Sequence, residues 1–296
     1  EEINRGNCAQ IFGDLFQLPP VITRDAAEFY RQAYGHENAY FFDANVAARC
    51  DFKIINFECV YRQSDIPLLE NLRRLRGGDV SALEFFNSCH IDDMTRRQNA
   101  VIITPFRAVA ARINDERLGQ ISAPEVAYNA VLSGTFPERD TPAPMSLVLK
   151  VGALVVFVKN SDKWHNGSMG IVQNLTAREI VVQLLNKSRD IVTVKPEKWQ
   201  KIEYSRDENN RIVENEVGSF KQFPLNLGYA MTIHKAQGKT LDAVVVDISR
   251  GAFAHGQTYV ALSRTRNATD MHVASPLRPR DVIFDERVLD FVSRTL

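Results

Sequence analysis

Cysteine is scarce in this chain and poorly placed for chemistry. The four in 296 residues, Cys8, Cys50, Cys59 and Cys89, include no C-x-x-C pair. That argues against a disulfide scaffold or a zinc knuckle and predicts reduced thiols in a cytosolic setting. The six histidines show no ligand spacing, so no metal site is expected from them. No apolar run approaches the roughly 20 residues of a membrane span, and signal-peptide and lipidation motifs are missing, so no membrane partner is expected. Net charge is lacking too, since Lys plus Arg equals Asp plus Glu at 36 each. Neutrality does not exclude nucleic acid, because a narrow single-strand channel needs local cations and not a basic pI. There is no internal repeat and no low-complexity segment.

A complete phosphate-binding P-loop is also absent. Gly238-Lys239-Thr240 imitates its end, but the motif needs another glycine five positions before the second, where Ile233 stands. No other Gly-Lys-Ser/Thr occurs. Val244 to Ile248 imitates a Walker B strand, yet no acidic neighbour follows Asp247. Any nucleotide site built here is therefore partial.

What is present is ordinary globular composition, 45% hydrophobic and 24% charged, with length enough for two domains. Strands are expected at Ala9 to Phe12 and Phe52 to Val60, and helices at Asp25 to Tyr34, Asp43 to Arg49, Ile66 to Leu75 and Val80 to Ser88. An α/β stretch begins near Ala100 with the strand VIITP and a helix from Arg107 to Leu118. Between Lys150 and Phe223 the pattern changes to short strands at 153–158, 170–174, 180–185 and 191–194, with a long hairpin from about Lys201 to Gln222. Turn signals are strongest at Asn160 to Gly167 and at Asp207 to Asn210. This reads as a small β-barrel at 150–223 inserted into an α/β domain that resumes at Pro224 and ends in a helix from Arg287 to Arg294.

The densest polar groups lie between Leu225 and Arg264. Thr232, His234, Lys235, Gln237, Gly238 and Thr240 surround a glycine at a strand-to-helix passage, where free backbone N–H groups and the helix dipole favour an anion. A second apolar segment, Thr258 to Leu262, reads as a buried strand that would hold the Arg264 guanidinium exposed at a sheet edge, as an arginine finger requires.

TIHKAQGKTLD at Thr232 and GQTYVALSR at Gly256 resemble motifs V and VI of superfamily 1B DNA helicases, the petite-integration-frequency (Pif-type) helicases and their RecD-like relatives. GDLFQLPPV at Gly13 resembles motif III, VYRQSD at Val60 resembles motif IV, and LVLKVGALVVFVKN with NGSMGIV resembles the approach to their inserted barrel. The resemblance implies a RecA-like α/β fold: residues 1–60 ending a first RecA-like domain, 61–99 a helical connection, 100–149 with 224–296 a second RecA-like domain, and 150–223 the barrel.

It further implies an ATP-dependent 5′-to-3′ DNA helicase whose P-loop and magnesium ligands precede Glu1. The chain, which opens without methionine, is expected to be a fragment inactive alone. ATP with Mg2+ is the implied cofactor. Single-stranded DNA and DNA forks are the implied partners of a bacterial, nucleoid-associated monomer. The resemblance gives Gln17 as the amide sensing the γ-phosphate or its attacking water, Arg62 and Arg264 as guanidiniums on that phosphate, and Gln237 and Gly238 as further nucleotide contacts. Thr104, Pro105, Arg107, Asn114, Thr232, His234 and Lys235 are the implied DNA contacts, with Trp164 and Asn166 weaker ones in the loop at the barrel entry. Each has a plainer alternative: a turn-capping amide for Gln17, an ion pair with Asp65 or Glu58 for Arg62, a packed histidine for His234. A rival reading is a non-catalytic nucleic-acid-binding protein derived from a helicase; a P-loop and Asp-Glu pair upstream in the gene would decide between them.

Overall fold

The computed structural model describes residues 11–22, 24–35, 40–45, 47–50, 53–57, 59–91, 100–206 and 212–295. It divides into two compact units, Glu1–Asp92 with Ile248–Leu296, and Asp93–Asp247.

In chain order, the first unit opens with α1 (Arg24–Tyr34) and, later, α2 (Ile66–Arg76). Asp65 caps α2 by accepting the Leu68 N–H at 3.1 Å, Pro67 suits its first turn, and Leu68, Leu72 and Leu75 form its buried stripe. A 3-10 turn at Val80–Ala82 leads into α3 (Leu83–Ser88). Two expectations need correction. Among the described residues of 43–49 there is no α-helix but short 3-10 turns, Phe41–Asp43 and Ala47–Arg49, because the Asp43 carboxylate folds back onto the Tyr40 N–H and closes the first turn. The apolar run at 52–60 forms no strand among its described residues. Ile55 and Phe57 are exposed there, and an apolar run without a ladder partner has nothing to extend it into a sheet. Ile11 and Phe12 lie outside any strand as well, and residues 9 and 10 fall outside the described set.

The second unit begins with β1 (Val101–Thr104) and α4 (Arg107–Gly119). It continues through β2 (Val126–Asn129), β3 (Val131–Gly134), β4 (Ser146–Leu149), β5 (Leu154–Phe157), β6 (Met169–Leu175), β7 (Ile180–Leu184) and β8 (Ile191–Val194). The hairpin β9 (Glu197–Arg206) and β10 (Ile212–Gln222) follows, then β11 (Leu225–Leu227), β12 (Ala230–Thr232), the single turn α5 (Ile233–Ala236) and β13 (Val244–Val246). Strand β1 is buried along its whole length between parallel partners β12 and β13, which is why it reads as an unbroken apolar run. The turn expected at 207–210 lies outside the described residues. An antiparallel sheet runs β11-β5-β6-β7-β8, and Ile180, Val182 and Leu184 of β7 alternate onto its core face with Val155, Phe157 and Val172. The hairpin forms its own sheet, β3-β10-β9.

The chain then returns to the first unit through α6 (Gln257–Leu262), β14 (Met271–Val273) and α7 (Glu286–Thr295). The segment expected as an apolar strand at 258–262 is helix α6, and Arg264 is buried with no exposed surface, so it does not project from a sheet edge. Gln257, Thr258, Val260, Ala261 and Leu262 are all buried, and an element covered on every side carries no period that separates helix from strand. Val288 of α7 packs with Phe16 and Tyr40 in a small core, which places the loop at 14–17 against the C-terminal helix.

Candidate functional site

The first unit gathers Gln17, Arg62 and Arg264. The loop carrying Gln17 is a turn closed by Asp14, which accepts the Phe16 N–H at 3.2 Å and the Gln17 Nε2–H at 3.2 Å through its carboxylate, and the Gln17 N–H at 3.1 Å through its carbonyl. Arg76 of α2 donates to the same carboxylate at 3.0 Å and lies 4.0 Å over the Phe16 ring, so the turn is tied to α2 by an ion pair and a cation–π contact. Opposite stands the start of α6. Gly256 has φ 71°, and a Cβ there would lie 2.5 Å from the Phe16 carbonyl oxygen and 2.7 Å from that of Gln17. Only glycine lets the two backbones approach so closely.

At the other end of α6 the chain turns back on itself. Arg264 Nε donates to the Val260 carbonyl at 2.6 Å, and Nη2 donates to Ser263 Oγ at 2.6 Å. Arg62 Nη1 donates to the Ser263 carbonyl at 3.4 Å, and the buried Gln63 amide bridges the carbonyls of Ser263 and Thr265 at 3.0 and 3.1 Å. Asp65 is occupied by the N–H groups of Leu68 and Ala268; Glu58, the other partner considered for Arg62, falls outside the described residues. Two guanidiniums thus meet at Ser263. Burial, and secondarily the positive charge of Arg62, push Arg264 down to about 10, so it stays protonated at neutral pH. Tyr259 is raised by burial and then by Asp14. The cluster of Arg62, Arg264, Tyr259 and Asp14 favours an additional anion, and planar forks suit the oxygens of a phosphate.

The second unit holds the residues assigned to DNA. Thr104 and Thr232 face each other in register at the C-terminal ends of β1 and β12, the edge of a parallel sheet where ligands bind by preference. Both are buried, as is Pro105. Thr232 Oγ1 caps α5 by accepting the Lys235 N–H at 3.3 Å. Asn114 is spent: its amide donates to the Ala230 carbonyl and accepts the Ala230 N–H, each at 2.9 Å, so it braces β12. Asn166 is exposed on the loop before β6, where its N–H donates to Asn160 Oδ1 at 2.7 Å. Trp164 packs on Phe157 at 4.6 Å and donates its indole N–H to the Lys159 carbonyl, a core-edge role. Gln237 and Gly238, expected near the nucleotide, follow α5 in this second unit, and Gly238 has φ 77°.

Arg107 and Lys235 place two cations beside the His234 imidazole around the end of β12. Burial, then Arg107, lowers both His234 and Lys235. Lys239, which the sequence reading overlooked, joins them: burial and then Lys235 bring it down to about 8. Its stem runs beside Gly167, whose added Cβ would lie 3.3 Å from Lys239 Cβ. The imitation P-loop had drawn attention to Lys239 only to dismiss it. Like charges gathered at a sheet edge make a place for a phosphodiester chain.

No protein-family model matches the chain. The ATP-dependent DNA helicase Pif1 of Bdellovibrio bacteriovorus is 30% identical, over 94% of this chain and 60% of that protein. The human ATP-dependent DNA helicase PIF1 is 30% identical, over 95% of this chain and 42% of that protein. Among solved structures, Bacteroides sp Pif1 in complex with ADP-AlF4 superposes with TM-score 0.81 and 30% identity, covering 96% of this chain and 65% of that one. Bacteroides Pif1 bound to ssDNA gives 0.68 and 31%, over 96% and 66%. The chain therefore spans less than two thirds of these relatives, and its fold is RecA-like α/β.

Proposed function

Because the chain belongs to the Pif1-type helicase family over the part it spans, we propose that it is the C-terminal motor portion of an ATP-dependent 5′-to-3′ DNA helicase that couples ATP hydrolysis to translocation on single-stranded DNA. The observation that carries this reading is the convergence of Arg62 and Arg264 on Ser263, with Asp14 of the Gln17 turn near enough to act on the Arg264 charge. Relatives named for ATP-dependent helicase activity, and neighbours solved with ADP-AlF4 and with ssDNA, support it.

The donor set fits one end of ATP. Two guanidiniums and an amide suit a terminal phosphate, whereas no group of His, Cys, Asp or Glu among the described residues could hold a metal ion. In this reading Arg62 and Arg264 bind and neutralise the γ-phosphate, and Gln17 orients the attacking water. The groups for magnesium and the β-phosphate come from another segment of the full-length protein, so the 296-residue chain alone hydrolyses no ATP. Arg107, His234, Lys235 and the ends of β1 and β12 grip the DNA backbone without reading bases. Residues 150–223 act as an inserted barrel beside this path, and the motor works as a monomer on single strands and forks. No helix among the described residues is long and apolar enough to cross a membrane.

The test is strand polarity. The full-length protein should unwind a duplex bearing a 5′ single-stranded tail in the presence of ATP and magnesium, and should leave a 3′-tailed duplex intact. Unwinding of the 3′-tailed substrate, or of neither, would overturn the proposal.

A further inference from the structure

Next to the glycine that begins α6 sits a buried histidine whose ring joins two distant segments. His255 is 6% exposed. Its Nδ1 accepts the Asp285 backbone N–H at 2.9 Å, which leaves Nε2 as the protonated nitrogen, and Nε2–H donates to the Leu15 carbonyl at 3.0 Å. The acceptor role of Nδ1 fixes the tautomer. The ring meets Phe284 edge-on at 5.1 Å, and Phe284 in turn packs on Phe16 at 5.9 Å. One imidazole therefore ties the Leu15-Phe16-Gln17 loop to the entry of α7 and, through Gly256, to the N-terminus of α6, the helix that Arg264 follows.

This bond differs in kind from the loop's other attachment. Arg76 holds Asp14 from α2 by a solvent-reaching ion pair, with side chains 39% and 24% exposed. His255 holds a backbone carbonyl two residues before Gln17 from a ring that is itself buried, so it sets the path of the main chain from which the Gln17 amide projects. A bond from a buried ring of defined tautomer is more rigid than one between two solvent-reaching side chains.

We propose that His255 is a positioning residue for ATP hydrolysis: it holds the Gln17 loop at a fixed distance from α6 so that amide and guanidiniums act on one phosphate. The proposal rests on the helicase reading above. His255 touches neither phosphate nor DNA in this account and acts only through Leu15 to Gln17.

Amide substitutions separate its two bonds. In the full-length protein, His255→Gln can place an Nε2–H donor at Leu15, whereas His255→Asn can place only an acceptor at Asp285. Displacing a catalytic group by about 1 Å costs on the order of a hundredfold. His255→Ala should thus lower kcat for DNA-stimulated ATP hydrolysis by about ten- to a hundredfold, while KM for ATP and the Kd for single-stranded DNA stay within about threefold. His255→Gln should recover most of the lost kcat, and His255→Asn should not. Amide hydrogen exchange at residues 14–18 should quicken in the Ala and Asn variants and less in the Gln variant. Equal losses in the Gln and Asn variants, a kcat that merely follows the fall in Tm, or a kcat within about threefold of the parent in His255→Ala would overturn the assignment while leaving the helicase reading in place. A parent with no DNA-stimulated turnover would overturn both.

Discussion

Arg264→Ala is the substitution whose consequences the structure defines most fully. The side chain has no exposed surface and donates to Val260 and Ser263. Truncation loses the charge-assisted hydrogen bonds to Val260 and Ser263, together about 3 kcal/mol, and packing worth about 2 kcal/mol. Against this, burial lowers the guanidinium to about 10, an opposition to its charge of about 3 kcal/mol that truncation removes. The net destabilisation is about 2 kcal/mol, a fall in Tm of about 4–8 °C, so the full-length variant should fold and still bind single-stranded DNA. Its ATP turnover at saturating DNA should fall about a thousandfold or more, equivalent to about 4 kcal/mol of barrier, because the fork neutralises charge that develops on the transferred phosphoryl group. Arg264→Lys should recover little of that turnover, since a single ammonium cannot hold Val260, Ser263 and a phosphate at once. The assay is steady-state hydrolysis with and without oligonucleotide, alongside thermal unfolding. If Arg264→Ala keeps turnover within about tenfold of the parent, about 1.4 kcal/mol, the finger is another residue.

Three further outcomes follow from named geometry. Gly256→Ala would put a methyl group 2.5 Å from the Phe16 carbonyl oxygen at φ 71°, so it should push the 14–17 loop away and lower both Tm and turnover; unchanged values for both would show that the loop does not sit against α6. The pair Thr232→Ala and His234→Ala should weaken single-strand binding equally for all base sequences, and a loss confined to one sequence would count against phosphate contacts. Lys239 releases its proton near pH 8 in the folded chain and near 10.5 unfolded, so as a buried cation beside Lys235 it opposes folding below pH 8 and ceases to as pH rises through that window. Single-strand affinity at fixed salt should correspondingly fall between about pH 8 and 10 and become flat in Lys239→Arg, as fluorescence anisotropy would read; an identical pH profile in both proteins would remove Lys239 from the DNA path.

Much of the fold was legible because local pattern and tertiary environment agree. The α2 stripe at Leu68, Leu72 and Leu75, the Asp65 cap and the alternation of β7 each state their own structure. Segment 258–262 misled because complete burial erases periodicity, and 52–60 because an apolar composition does not supply a ladder partner. The candidate site was legible through motif resemblance as to which residues matter, and not as to how they are held. Asn114 satisfies the Ala230 backbone on both sides, and His255 bonds a carbonyl and an amide in segments remote from it in the chain. Backbone partners carry no side-chain signature, so spacing cannot announce such bonds. Lys239 was hidden for a related reason, since its environment is made by α5 and the loop at Gly167, which meet only in the folded unit.

The most direct test of the central claim is ATP turnover by the full-length protein, with magnesium, measured with and without oligothymidylate, and by this 296-residue chain under the same conditions. Hydrolysis should rise at least tenfold with the oligonucleotide in the full-length protein and be absent in the chain alone, whose sequence has no P-loop. Turnover by the 296-residue chain, or a full-length protein indifferent to single-stranded DNA, would contradict it.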